Sequence, residues 1–144
     1  MKCLFLESVS GIAGDMFAAS FIDAGLLDAA VAREVPRRLG LDHVHVEVSR
    51  VHRAEIAATH VRVHVHGDEE HAPHGHDHGH DHTHYPALDA LLEGSDLPTA
   101  AKTFARKVYR LLAEAEGRAH GCAPEEVSFH EVGDLDSVVD VALA

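Results

Sequence analysis

Tryptophan is absent from this chain, cysteine and methionine occur twice each, and aromatic residues make up only 5% of it. Cys3 lies in an apolar run and Cys122 in a Gly-Cys-Ala-Pro turn, a usage that excludes both a disulfide framework and a zinc ribbon and fits a reducing cytoplasm. No apolar run reaches membrane length, and the one in Met-Lys-Cys-Leu-Phe-Leu-Glu is too short for a secretory signal. The expectation is therefore a cytoplasmic protein, neither exported nor membrane-spanning. Basic residues are scarce as well: 12 Lys and Arg stand against 24 Asp and Glu, a formal charge of −12, which argues against nucleic acid or an anionic membrane as partner. What is in excess is histidine, with fifteen residues, so cations are the expected ligands. The 144 residues, 46% hydrophobic, suffice for one domain with a core.

The stretch Glu7-Ser8-Val9-Ser10-Gly11-Ile12-Ala13-Gly14-Asp15-Met16 follows a short apolar run at residues 3–6 and precedes helical spacing from Asp15 onward. A strand-to-helix turn of this kind leaves backbone N–H groups unpaired at the positive end of a helix dipole, where phosphate or carboxylate can sit. Ser10, Gly11 and Gly14 would line that place, with Glu7 and Asp15 beside it. A cation between the anion and the carboxylates completes the chemistry. Standing alone, such a turn is more often a simple connection.

Further along, Phe17, Phe21 and Ala24 form one stripe of a helix closed by Gly25, and Asp28 caps a second with Val31, Val35 and Leu39, which Pro36 should kink or divide. Val44, Val46 and Val48 then alternate with His43, His45 and Glu47. Val61, Val63 and Val65 alternate with His60, Arg62, His64 and His66, so two strands pair through residues 51–58 and expose a histidine-rich face. Taken singly these histidines are a polar strand face; a pair across the strands stays open. Tyr85-Pro86 opens a helix carrying Leu88, Leu91 and Leu92 up to Gly94, and Asp96-Leu97-Pro98 opens the longest helix. Its stripe, Ala101, Phe104, Val108, Leu111 and Ala115, reads as core packed on the sheet, and His120 at its end suits the helix dipole. Val127 and Phe129 form a short strand before a last helix that runs to Ala144 without a stop signal. The expected fold is α+β (or α/β), a small mixed sheet of about four strands with helices on one face. Residues 1–144 are expected to be a single N-terminal domain of a longer protein, with a mobile histidine-rich insert at residues 67–84.

Within that insert His71, His74, His76, His78, His80, His82 and His84 are interspersed with Asp77 and Asp81. Imidazole suits nickel, zinc, copper and cobalt, and alternate side chains of an extended segment point the same way, so the run can gather metal without one fixed geometry. At the other end of the chain Phe129-His130-Glu131-Val132-Gly133 leads into a helix carrying Asp136 and Asp140, which share a face by their spacing of four. Asp134 or Asp136 can be a helix cap, but His130 beside Glu131 at a strand-to-helix junction can bind a metal or move a proton. If the strands run side by side in one direction, Glu7, Asp15, His130, Glu131, Asp136 and Asp140 gather at one edge.

Ser10-Gly11-Ile12-Ala13-Gly14-Asp15-Met16, the histidine-rich insert, and Phe129-His130-Glu131-Val132-Gly133 with Leu135-Asp136-Ser137-Val138-Val139-Asp140 together resemble the N-terminal part of the LarC family. The chain departs from that family's pattern at Glu7, where Asp is common, at Ser128, often histidine, and at Asp134, usually a small residue. The resemblance implies an enzyme of the lyase class that places nickel, its substrate metal, into a pyridinium-3,5-bisthiocarboxylic acid mononucleotide. That reaction consumes CTP with a divalent cation, Mg or Mn, and makes the nickel-pincer cofactor of lactate racemase. Asp15, His130 and Glu131 are then the candidate catalytic residues, and Ser10, Gly11 and Gly14 the candidate contacts to the nucleotide. The insert histidines, with Asp136 and Asp140, are candidate metal ligands. CTP is expected to bind in a missing C-terminal domain of the same protein, so this fragment alone should be inactive. The rival reading is a nickel or zinc storage or delivery module without chemistry. Homo-oligomerisation is left open.

Overall fold

β-Branched residues at every second position favour an extended chain with one buried face, and the longest ladder of the molecule follows from them. A computed structural model describes residues 5, 7, 11–65, 83–130 and 132–144. Of the strand expected at residues 3–6 only Phe5 is described, and it is exposed and in no strand; Ser10, most of the histidine-rich insert (residues 67–82) and Glu131 lie outside the described residues. Strands β1 (Val44–Arg53) and β2 (Ile56–Val65) pair antiparallel from Val44↔Val65 to Arg53↔Ile56. Val44, Val46 and Val61 are buried, while His45 and Glu47 face outward. Ala54 and Glu55 close the hairpin at φ of 46° and 67°, a left-handed conformation that two-residue hairpin turns require and that Asn and Gly adopt most easily.

Helices α1 (Gly14–Asp23) and α2 (Ala29–Arg38) cover the hairpin, α1 against β2 and α2 against β1. The buried face of α1 is Ala18 and Ala19; Phe17 and Phe21 are only half-buried, and Ala24 lies past the helix end. Small side chains let this helix approach its neighbours closely, which outweighs burial of the larger aromatic stripe. In α2 the Asp28 carboxylate accepts from the Ala30 N–H at 2.8 Å. The helix runs on through Pro36, which is itself buried, instead of dividing there. Ala32 occupies the core in place of Val31.

Helix α3 (Tyr85–Gly94) follows β3 (Thr83–His84), so the last two residues of the expected insert are part of a strand. Helix α4 (Thr99–His120) buries Ala105, Tyr109, Ala113 and Gly117, a stripe at spacing four that is rotated from the expected one: Phe104 and Leu111 are 48% and 56% exposed. Its packing partners are α3, α5 and a 3-10 turn at Pro124–Glu126, where the expectation had it on the sheet. Arg106 joins α4 to α3 by a bidentate bond to Asp89, at 2.7 and 2.9 Å. Gly117 is forced by close approach, because a methyl group there would lie 2.7 Å from the Cys122 carbonyl where the chain folds back. Strand β4 (Ser128–Phe129) pairs antiparallel with β3.

The class is α+β, as expected. Among the described residues the four strands form two antiparallel pairs, and helix α5 (Leu135–Leu143) holds them together by packing on α1, α2, α4 and β2. The strained hairpin turn offers a direct test. Glu55→Gly should raise the unfolding free energy by about 1 kcal/mol, because glycine pays no Cβ penalty at positive φ. Urea denaturation measures it, and a loss of stability would mean that the turn has another conformation.

Candidate functional site

The start of α1 meets the middle of α5, and the point of contact is Gly14 against Asp140. A methyl group built on Gly14 would lie 2.6 Å from Asp140 Cβ and 2.7 Å from its Oδ2, so only glycine admits the carboxylate there. Asp15 and Asp136, each in the first turn of its helix, complete a group of three acids. One oxygen of Asp15 accepts from the Met16 N–H at 2.6 Å, and one of Asp136 from the Ser137 N–H at 2.7 Å. The Asp140 carboxyl is pushed up to about 6, first by burial and then by the charges of Asp15 and Asp136, against which the Asp15 backbone N–H donates a hydrogen bond to it. Its Oδ1 is buried without a hydrogen-bond partner among the described residues.

Tyr109, a residue that the sequence pattern did not mark, forms the inner wall. Its hydroxyl donates to the Val132 carbonyl at 3.1 Å, and its ring centroid lies 5.8 Å from that of Phe129. Burial, then Asp136 and Asp140, hold its phenol well above the usual range. The only sequence signal for it was a lone large polar-tipped side chain in a helix face otherwise made of alanine and glycine. Tyr109 thus touches Phe129 and Val132, while Asp136 and Asp140 lie near enough to act on its phenol. His130 lies exposed in the segment between Phe129 and Val132. Gly133 is packed closely beneath it, with its notional Cβ 2.9 Å from Phe129 Cβ and 3.0 Å from Thr83 Cβ.

Asp15, Asp136 and Asp140 are thus brought together, and Gly14 sits among them. Gly11, at φ 85°, precedes α1 as the turn requires. The anion place expected at the start of α1 is taken by the protein's own Asp140 carboxylate. His84 is held in β3, its Nδ1 2.9 Å from Ser128 Oγ. His71, His74, His76, His78, His80, His82, Ser10 and Glu131 lie outside the described residues. On the hairpin, His45 and His64 stack with centroids 4.7 Å apart and planes 8° from parallel, and His64 Nε2 meets Glu47 Oε2 at 3.0 Å. Among the described residues no group of three His, Cys, Asp or Glu is arranged to hold a metal ion. The carboxylates share a field but do not by themselves form a cage.

A family model described as "Nickel insertion protein" matches residues 4–144. Similar curated relatives, provisionally named nickel insertion proteins, include one from Geotalea daltonii, 38% identical over 143 residues, 98% of this chain and 34% of the relative. One from Geotalea uraniireducens is 39% identical over 142 residues, again 98% and 34%. One from Myxococcus xanthus is 38% identical over 141 residues, 97% and 34%. The chain therefore spans about a third of the length of the curated relatives it matches. No solved structure matches it.

Because the folded value of Asp140, about 6, lies above its ordinary 3.8, its charge destabilises the fold above pH 6. That penalty is relieved as pH falls from 6 toward 3.8. Asp140→Asn should accordingly be more stable than the parent at pH 7.5, with the difference closing near pH 4. Urea midpoints across that range test this, and a constant difference would assign the effect to packing instead of charge.

Proposed function

Since the chain belongs to the nickel insertion protein family, we propose that it is the N-terminal, nickel-collecting and substrate-positioning part of a nickel-insertion enzyme. The reaction is CTP-dependent insertion of nickel into a thiocarboxylated pyridinium mononucleotide, giving the nickel-pincer cofactor of lactate racemase. The observation that carries this reading is the meeting of Asp15, Asp136 and Asp140 where α1 and α5 join. Three carboxylates on one edge attract a divalent cation whether or not they ligate it alone. Cyclometallation releases a proton, and a carboxyl poised near neutrality is suited to take one.

The histidine run supports the same reading by its attachment. It follows β2, which packs on α1 and α5, and it precedes β3, which pairs with β4 next to the His130 segment. His71, His74, His76, His78, His80 and His82 gather nickel, with His84 marking the end of the run in β3. Asp136 and Asp140 draw the ion inward, and Asp15, His130 and Glu131 act on the substrate. Ser10, Gly11 and Gly14 present the start of α1 to its phosphate, which must displace the Asp140 carboxylate to bind there. CTP, with Mg or Mn, binds in the remainder of the full-length protein.

Two experiments on the full-length enzyme test this division of labour. Replacing residues 71–82 by Gly and Ser should slow insertion only when nickel is scarce, with excess nickel restoring the rate, because a collector raises supply without stabilising a transition state. Loss of turnover at saturating nickel would place the run in the reaction site itself. Asp15→Asn, His130→Ala and Glu131→Gln should each lower the insertion rate by about tenfold or more, less than additively in combination, while metal uptake by the run is unchanged. Full activity in all three would leave a metal store without chemistry as the better description.

A further inference from the structure

Helix α4 carries two apolar stripes, and the fold uses only one. The second, with Phe104 and Leu111 seven residues apart on the same face, stays exposed. Beside it Leu27, Val31, Val35, Leu97, Ala101 and Leu143 line a largely apolar groove of about 430 Å³ between α2, α4 and the end of α5. Val31, the residue of α2 that the core also leaves out, is 50% exposed on it. Arg38 stands in the wall. Its Nη1 reaches the Asp96 carbonyl at 3.4 Å and its Nη2 the Glu34 carboxylate at 3.5 Å, but its Nε is buried with no acceptor among the described residues. An apolar groove rimmed by a large aromatic side chain, with one unsatisfied donor in its wall, has the composition of an interface core and not of a solvated surface.

We propose that this groove is the docking surface for the part of the nickel insertion polypeptide beyond the matched third, which presents an apolar helical face to it. The inference rests on family membership and not on the nickel chemistry, so either can fail alone. Two facts favour this occupant over a second copy of the chain. The relatives carry about twice as much polypeptide again outside the matched region, and two copies each bearing a formal charge of −12 repel one another. Phe104 and Val31 then act as anchors in a buried contact, and the stripe that the sequence marks as core is core in the longer polypeptide.

A chimaera in which this chain replaces the matched third of the Geotalea daltonii relative, carrying a benzophenone amino acid at Phe104, at Val31 or, as a control, at Ile56 on the distant hairpin, provides the test. Irradiation should give cross-links from positions 104 and 31 to residues beyond the matched third, about tenfold more than from position 56. Leu111→Asp, on the exposed stripe, should reduce them. The same probes in the 144-residue chain, mixed with the remaining two-thirds of that relative as a separate polypeptide, cover the case in which the chimaera does not fold. Cross-links only between copies of this chain, or equal yields from all three positions in both formats, would overturn the proposal.

Discussion

Burial of α5 is the constraint on which the rest of the structure depends. Val138 and Val139 are 1% and 0% exposed, and the helix that carries them is the element touching α1, α2, α4 and β2 together. A two-stranded hairpin is marginal in water by itself, and the β3–β4 pair is only two residues long on each side. Neither sheet could hold without an apolar body to cover it: α1 and α2 cover the hairpin, α3 packs on β3, and α5 ties α1, α2, α4 and β2 into one core. A polar substitution at Val139 would therefore separate the layers before it weakened any single one of them.

That dependence also fixes the acids. Once Val138, Val139 and Ala142 face inward, helical spacing sets Asp136 and Asp140 on a common side, and the packing of α1 brings Gly14 against the second of them. The arrangement opposes folding, because it buries a carboxyl near two others and leaves one of its oxygens without a hydrogen-bond partner among the described residues. Local rules of stability would have selected a different residue. Residues that break such rules without an evident compensating contact concentrate where function needs them.

Much of this was legible from the chain alone, and the failures share a cause. Capping by Asp28, the glycine terminators and the β1–β2 hairpin follow from local spacing and turn chemistry, whereas the grouping of Asp15 with Asp136 and Asp140, expected from parallel neighbouring strands, arises instead from the packing of α1 on α5. The missed features depended on which of two acceptable faces a helix would bury. In α1 the alanines displaced Phe17 and Phe21, in α2 Ala32 displaced Val31, and in α4 the stripe through Tyr109 displaced the one through Phe104. In each case the smaller side chains won, since distance of approach between helices is set by the residues at the contact, and periodicity does not report size. The position of Tyr109 could have been found only by asking which alanine-rich face contained a side chain able to reach past it.

The β3–β4 clasp has a consequence for supply. His84 is pinned to Ser128 and Val65 ends β2, so the chain between them is tethered at both ends, and on the function proposed above an ion held there would remain tethered to the domain that carries the α1–α5 junction. A tether of that length sets effective concentrations on the order of millimolar, far above free levels of a scarce metal. For an ion already held, encounter with the junction would then be set by the chain's geometry, while dilution outside governs only how often the run is loaded.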